Sequence, residues 1–323
     1  IAQITGLDEV FFCNSGLEAN EAAIKVARKY GHERGVSEPA IIVMEKAFHG
    51  RSLATLSASG SRKVQAGFEP LVQGFVRVPL NDLEAVNQVA AHNKNVAAVF
   101  VEPIQGEGGI NVARLEYLRG LKEICDRHEW LFMSDEVQCG LGRSGKWFVY
   151  QHAGFLPDVL PLAKGLGSGV PVGACVVGGR ARGVLKPGNH GSTFGGNPLA
   201  MTAVITTIDT IIEEGLLANA GRVGGAIRDG LAAALQGAPG VVEVRGMGLM
   251  LGVELDRPCG ELVKTALDAA LVVNVTADNV IRLLPALVMS EAEGREVVER
   301  LVPVVKGFLA QGATAQPKTA AAR

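Results

Sequence analysis

The sequence predicts an α/β protein with a mainly parallel central sheet in a large domain, followed by a smaller C-terminal α/β domain. Short apolar runs recur early in the chain: "AIIVMEK" (40–46), "VAAVFVEP" (96–103) and "LFMSDEV" (131–137). Unbroken runs of this length suit strands that are covered on both faces, as in parallel sheets. Before the third run lies "RLEYLRGLKEICDRH", where Leu115, Leu118, Leu121 and Cys125 recur at helical spacing. This alternation is the β-α-β rhythm of such a domain.

Near residue 207 the pattern shifts to long, alanine-rich helical sequence. Three further apolar runs follow, "GLMLGVEL" (248–255), "LVVNV" (271–275) and "VIRLLP" (280–285). The expected division is therefore 1–206 for the large domain and 207–309 for the small one. Residues 310–323 are poor in bulky apolar side chains and are expected to form a disordered tail.

Composition narrows the function. With 323 residues, 48% of them hydrophobic, the chain has enough apolar sequence for two cores. A formal net charge of −2 gives no basis for nucleic acid or an anionic membrane as the main partner, and favours a small-molecule ligand. Cys13, Cys125, Cys139, Cys175 and Cys259 are odd in number and scattered, which argues against a disulfide framework or a metal site and for the reducing cytoplasm. No apolar run reaches the roughly 18 to 20 residues a bilayer span needs. The chain opens at Ile1 on structured-looking sequence, so a preceding N-terminal segment is expected.

Four constellations carry chemistry. In "NSGLEANEAAIKVARKY" (14–30), Ser15 and Glu18 form an S-x-x-E capping box, and Ala23, Val26, Ala27 and Tyr30 form an apolar stripe. The first amides, at Gly16 and Leu17, suit a phosphate, although an ordinary capped helix reads the same way. In "FMSDEVQCGLGRSG" (132–145), Asp135 or Glu136 leaves a strand at the edge where parallel sheets bind ligands, or else caps a helix or pairs with Arg143.

The third is "LPLAKGLGSGVP" (160–171), read as a loop leading into Lys164. No Asp or Glu occurs from Val159 through Ile208, so Lys164 has no carboxylate nearby in sequence. A desolvated lysine favours the neutral amine, which condenses with carbonyls, whereas a snorkelling surface lysine is the plainer alternative. The fourth, "NHGSTFGGNPLA" (189–200), offers Ser192 and Thr193 to an anion and ends in Asn197 and Pro198, an N-cap with proline at the first helical position. A phosphate cradle, a strand-end acid and an imine-forming lysine together describe pyridoxal 5′-phosphate (PLP), which needs an acid at its ring nitrogen and a lysine at its aldehyde.

The ordered motifs "NSGLEANEAAIK", "FHGRS", "VEPIQGEGG", "SDEVQCGLGRSG", "LAKGLGSGVPVGA" and "GSTFGGNPLA" resemble those of the class III PLP-dependent aminotransferases. The resemblance runs from about Ile4 to about Leu309, and it is greatest to members acting on acetylornithine. It implies the fold-type I architecture and a homodimer with shared sites, a two-step exchange between N2-acetylornithine and 2-oxoglutarate or glutamate, and about 70 residues ahead of Ile1, roughly the size of a small-domain portion. Other ω-amino donors share the same core, namely ornithine, succinylornithine, 4-aminobutyrate and lysine derivatives, and a chain that only pairs with other subunits is the remaining alternative.

By the same resemblance, Lys164 carries the cofactor and moves the proton, and Asp135 meets the ring nitrogen. Val137 and Gln138 touch the ring and its phenolic oxygen, and Phe48 stacks on the ring. Gly16 and Leu17 hold the phosphate, with Leu17 where threonine is usual, and Thr193 reaches it from the other subunit. Arg51, with Ser192 beside it, binds the substrate carboxylate, and Arg282 binds the α-carboxylate of glutamate. Glu107 covers Arg282 when an ω-amino donor is bound.

Overall fold

The computed structural model describes the backbone of residues 1–314 and the side chains of residues 1–311. Nine strands lie in the first 177 residues: β1 (Glu9–Cys13), β2 (Ala40–Met44), β3 (Phe75–Val78), β4 (Val96–Val101), β5 (Ile104–Gln105), β6 (Asn111–Val112), β7 (Leu131–Ser134), β8 (Val159–Leu162) and β9 (Gly173–Val177). Seven of them form one sheet in the order β1-β9-β8-β7-β4-β2-β3, in which only β9 runs antiparallel to its neighbours.

Side-chain alternation along the central strands feeds two cores. Ile42, Met44, Val99, Val101 and Phe132 pack under helix Leu115–His128, while Ile41, Val43, Ala98, Phe100, Leu131 and Met133 pack under helix Gly16–Glu33. Both faces are apolar, and this is why these strands read as unbroken hydrophobic runs.

The second sheet contains β10 (Val241–Met247), β11 (Met250–Leu255), β12 (Asn274–Thr276) and β13 (Val280–Leu283), in the order β10-β11-β13-β12 and antiparallel throughout. Its apolar face meets residues of helices Leu216–Leu235, Leu262–Asp268 and Glu291–Thr314.

Several sequence expectations change at this level. The segment before Lys164 is not a loop but β8, a central strand despite Pro161. Proline has no N–H to give a ladder, but its carbonyl still accepts from Glu136 N at 3.3 Å. In "LVVNV" only Asn274 and Val275 belong to a strand, since Leu271 and Val273 are apolar for a different reason, being packed into the core beneath. Helix Pro198–Glu213 runs across the boundary drawn at 206/207. The tail drawn from 310 is still helical to Thr314, and residues 315–323 lie outside the described residues.

The two acids after β7 part company. Asp135 faces the end of the sheet, whereas Glu136 is fully buried and accepts from Val149 N at 2.7 Å and Tyr150 N at 3.1 Å, pinning the returning chain. Arg143 does not pair with either acid; it donates to the carbonyls of Leu249 and Pro285, joining the two sheets' neighbourhoods.

Burial pushes the Glu136 carboxyl up to about 8, against the opposing pull of the Val149 and Tyr150 amides. Between the ordinary value of 4.5 and about 8 the folded state keeps a proton that the unfolded chain releases, so this contribution to stability is full below 4.5 and is lost as pH rises through 8. Glu136→Ala, which strands two buried N–H groups, should cost about 2–4 kcal/mol near pH 5 by chemical denaturation. The gap between native and variant proteins should narrow toward about pH 8, and a gap that widens with pH would contradict this assignment.

Candidate active site

The C-terminal ends of β4, β7 and β8 open on a cavity of about 500 Å³ lined by Gly16, Phe48, Glu102, Asp135, Val137 and Lys164, among others. Parallel strands in register bring their following residues to one edge. Val101 pairs with Ser134, so Glu102 and Asp135 stand side by side beyond them, both almost wholly buried.

Asp135 is held from three directions. Its Oδ2 accepts from Asn20 Nδ2 at 2.8 Å and lies 2.8 Å from His49 Nδ1, and its Oδ1 accepts from Val137 N at 3.1 Å. Asn20 also donates to the His49 carbonyl at 2.7 Å, and the His49 ring stacks on Phe100 at 4.1 Å. The carboxylate is therefore fixed before any ligand arrives. Neither His49 nor Asn20 stands out in the sequence, because the contacts span 86 and 115 residues.

Glu102, in "VEPIQGEGG", likewise carries no local sequence signal. It accepts from Phe48 N at 2.7 Å and so fixes the backbone of the aromatic residue that lines the cavity. Burial, then the charge of Asp135, pushes its carboxyl well above the usual range, against the pull of the Phe48 amide and the Lys164 charge. Lys164 thus shares its cavity with two acids, Glu102 and Asp135, supplied by the sheet and not by its own sequence surroundings. It is also exposed to the cavity, not desolvated, and its backbone takes a left-handed φ of 47° directly after β8.

Gly16 opens the 18-residue helix Gly16–Glu33, whose first amides have no partner within the helix. Ser15 caps it, accepting from Glu18 N at 3.3 Å, but Glu18 reaches one residue further than expected, to Asn14 N at 2.7 Å. A Cβ on Gly16 would lie 2.6 Å from Val137 Cγ1, so only glycine allows this helix start so close to the loop after β7. Leu17 lies in the same first turn and lines the cavity.

Gln138 and Arg51 also line the cavity, and Arg51 is shared with a larger groove beside it that contains Glu107. Arg282 donates from Nη1 to Glu107 Oε1 at 2.6 Å and to Gln138 Oε1 at 3.3 Å, while Nη2 donates to Asn274 Oδ1 at 3.0 Å. Burial pushes the Glu107 carboxyl up, but the Arg282 hydrogen bond and charge, with the Gln138 hydrogen bond, outweigh it and hold the group below the usual range.

Ser192 and Thr193 are not brought to this cavity. They line a separate depression with Phe11, Asn14 and Glu18, and Ser192 Oγ accepts from Asn14 Nδ2 at 3.1 Å instead of lying beside Arg51. Asn197 does cap the next helix, accepting from Ala200 N at 2.9 Å with Pro198 in its first turn.

The donor set fits PLP. A helix start kept bare by Gly16 suits a phosphate, a pre-fixed carboxylate suits a protonated ring nitrogen, and the amine of Lys164 lines the same cavity.

The family model for class III aminotransferases matches residues 1–305. Acetylornithine aminotransferase of Nitrosomonas europaea is 56% identical over 309 residues, covering 96% of this chain and 79% of the relative. Two structures of ornithine aminotransferase from Toxoplasma gondii superpose with TM-scores of 0.92 and 0.90 at 35% and 36% identity, covering 96% of this chain and 75% and 74% of theirs. The second, crystallised with oxidised glutathione, holds PLP at partial occupancy in its active site. The fold is that of the fold-type I PLP-dependent transferases, and the chain belongs to the class III aminotransferases.

Proposed function

We propose that this chain moves the δ-amino group of N2-acetylornithine to 2-oxoglutarate, giving N-acetylglutamate 5-semialdehyde and glutamate, a step of arginine biosynthesis. The observation that carries the reading is the convergence of Lys164 and Asp135 on one cavity whose rim, through Gln138, reaches the Glu107–Arg282 pair. A carboxylate-binding arginine that is masked by an acid suits an enzyme with two unlike substrates. One brings an ω-amine and the other an α-carboxylate.

When bound, PLP supplies an electron sink that lowers the cost of removing the proton from the carbon bearing the substrate's amine. Lys164 Nζ, exposed on the cavity wall and in no ion pair among the described residues, would be the group that takes up and returns that proton. Asp135, immobilised by Asn20 and His49, would hold the ring nitrogen in its protonated form. Phe48 and Val137 would pack against the ring, and the first turn at Gly16 and Leu17 would take the phosphate.

Arg51 binds the carboxylate at the far end of the donor. Glu107 neutralises Arg282 while the ω-amine reacts and yields it to the α-carboxylate of glutamate in the return step, where a bidentate guanidinium is worth about 1.5–3 kcal/mol per charged hydrogen bond. Ser192 and Thr193 complete the site of a second copy. Phe194, 70% exposed, and Leu199, 71% exposed, flank them, and apolar side chains this open beside a polar loop suit burial in a homodimer. The likeness to ornithine aminotransferases keeps ornithine in view as the rival donor.

Rapid-mixing half-reactions with N-acetylornithine, ornithine and 4-aminobutyrate test the substrate, and no preference for the acetylated donor would defeat the assignment. Lys164→Ala should yield a colourless protein with activity reduced by at least about 10³-fold, on the scale of losing a proton-transfer group, beside a yellow native enzyme. Gly16→Ala should weaken cofactor retention roughly tenfold through the contact with Val137 while leaving the denaturation midpoint little changed, as judged by dialysis and absorbance. Undiminished retention would remove this helix start from the phosphate site.

A further inference from the structure

The antiparallel sheet carries a row of side chains whose order is set by register. Arg245 on β10 stands opposite Gly252 on β11, Gly252 opposite Arg282 on β13, and Arg282 opposite Asn274 on β12. Directly opposed residues project from the same face, so the two arginines flank a gap where Gly252 has no side chain. Ile110 fills that gap; a Cβ on Gly252 would come within 3.0 Å of the Ile110 Cβ. The Gly106–Ile110 turn therefore lies across the row, and it carries Glu107.

The turn is held by its backbone. Arg245 Nε donates to Ile110 O at 3.0 Å and Nη2 donates to Gly109 O at 2.6 Å, while Nη1 is neutralised by Glu243 at 2.9 Å and by Glu254. Thr276 Oγ1, on β12, donates to the carbonyl of Glu107 itself at 2.5 Å. Ile110 is wholly buried and adopts a φ of 55°, a region that a β-branched residue enters only when its surroundings force it. The hydrogen bonds from Arg245 to the Gly109 and Ile110 carbonyls hold the backbone there, and Thr276 holds the Glu107 end of the same turn.

We propose that Arg245 and Thr276 are positioning residues for Glu107. They fix the turn so that the Glu107 carboxylate meets the Arg282 guanidinium, and they thereby set the discrimination between a donor that brings no α-carboxylate to Arg282 and glutamate. The proposal rests on the reading of Glu107 and Arg282 given above. A fixed backbone leaves only the Glu107 side chain to move between its two roles, whereas a loose turn lets the acid drift from the arginine.

The test uses the PLP-loaded enzyme and Arg245→Ala, Arg245→Lys and Thr276→Val, the last removing a single hydroxyl at nearly constant shape. Single-turnover kcat/KM for N-acetylornithine should fall about tenfold in Arg245→Ala and severalfold in Thr276→Val, with glutamate within about twofold, as expected for loss of a few hydrogen bonds acting on one half-reaction. Arg245→Lys should recover part of the ratio, since lysine restores charge without the fork. Amide exchange at 107–110 should accelerate in both truncated variants while the seven-stranded sheet is unchanged.

Equal losses for both donors, or an unchanged ratio, would overturn the proposal even if stability fell. Glu107→Ala separates the two levels. A shifted ratio there without one in the Arg245 and Thr276 variants sinks only the positioning role, whereas an unshifted ratio in Glu107→Ala removes the underlying reading and the proposal with it.

Discussion

The buried carboxylate of Asp135 is the constraint around which the rest of the site is arranged. A carboxylate with little solvent must be compensated by hydrogen bonds, and Asn20, His49 and the Val137 amide provide them. Each of those partners belongs to a different element: the helix Gly16–Glu33, the turn after β2, and the loop after β7. Placing the acid therefore places all three. The same turn holds Phe48, whose amide is bonded to Glu102, and the same helix presents Gly16. One demand for electrostatic compensation thus orders the ring-binding and phosphate-binding ends of the cavity together.

Much of this was legible in the sequence where the signal is local. Lys164, Asp135, the Ser15 cap and the Asn197-Pro198 helix start each sit inside a short motif with a mechanical reason for its spacing. The unbroken apolar runs gave β2, β4 and β7 because burial on both faces leaves no alternation to mislead. Helix Pro198–Glu213 and β8 were harder. Alanine-rich sequence does not show where one body ends, and a proline inside "LPL" speaks for a loop unless the neighbouring strands are known.

What stayed hidden depends on register. Lys164 has no acid within its own stretch of chain, yet it shares a cavity with Asp135 and Glu102, which stand together because β4 and β7 run parallel and end level. His49 and Asn20 are unremarkable letters until tertiary structure brings them to Asp135. Glu136, adjacent to Asp135 in sequence, points the other way and serves the fold instead of the chemistry. Adjacent residues after a strand diverge because of the pleat, while residues 33 apart in sequence converge because of strand register.

The second sheet extends the same principle to substrate choice. An antiparallel register converts Arg245, Gly252, Arg282 and Asn274, whose outermost members lie 37 residues apart in sequence, into one line on one face. Two arginines so near each other would repel if left bare, and the intervening glycine would leave a hole. The Gly106–Ile110 turn answers both problems, because Ile110 fills the hole and Glu107 balances Arg282 while Glu243 and Glu254 balance Arg245. The Glu107–Arg282 pair therefore spans the contact between the two sheets' territories. Whatever displaces Glu107 from Arg282 acts on that contact as well, so carboxylate recognition and the packing of the antiparallel sheet against the large one are properties of a single arrangement.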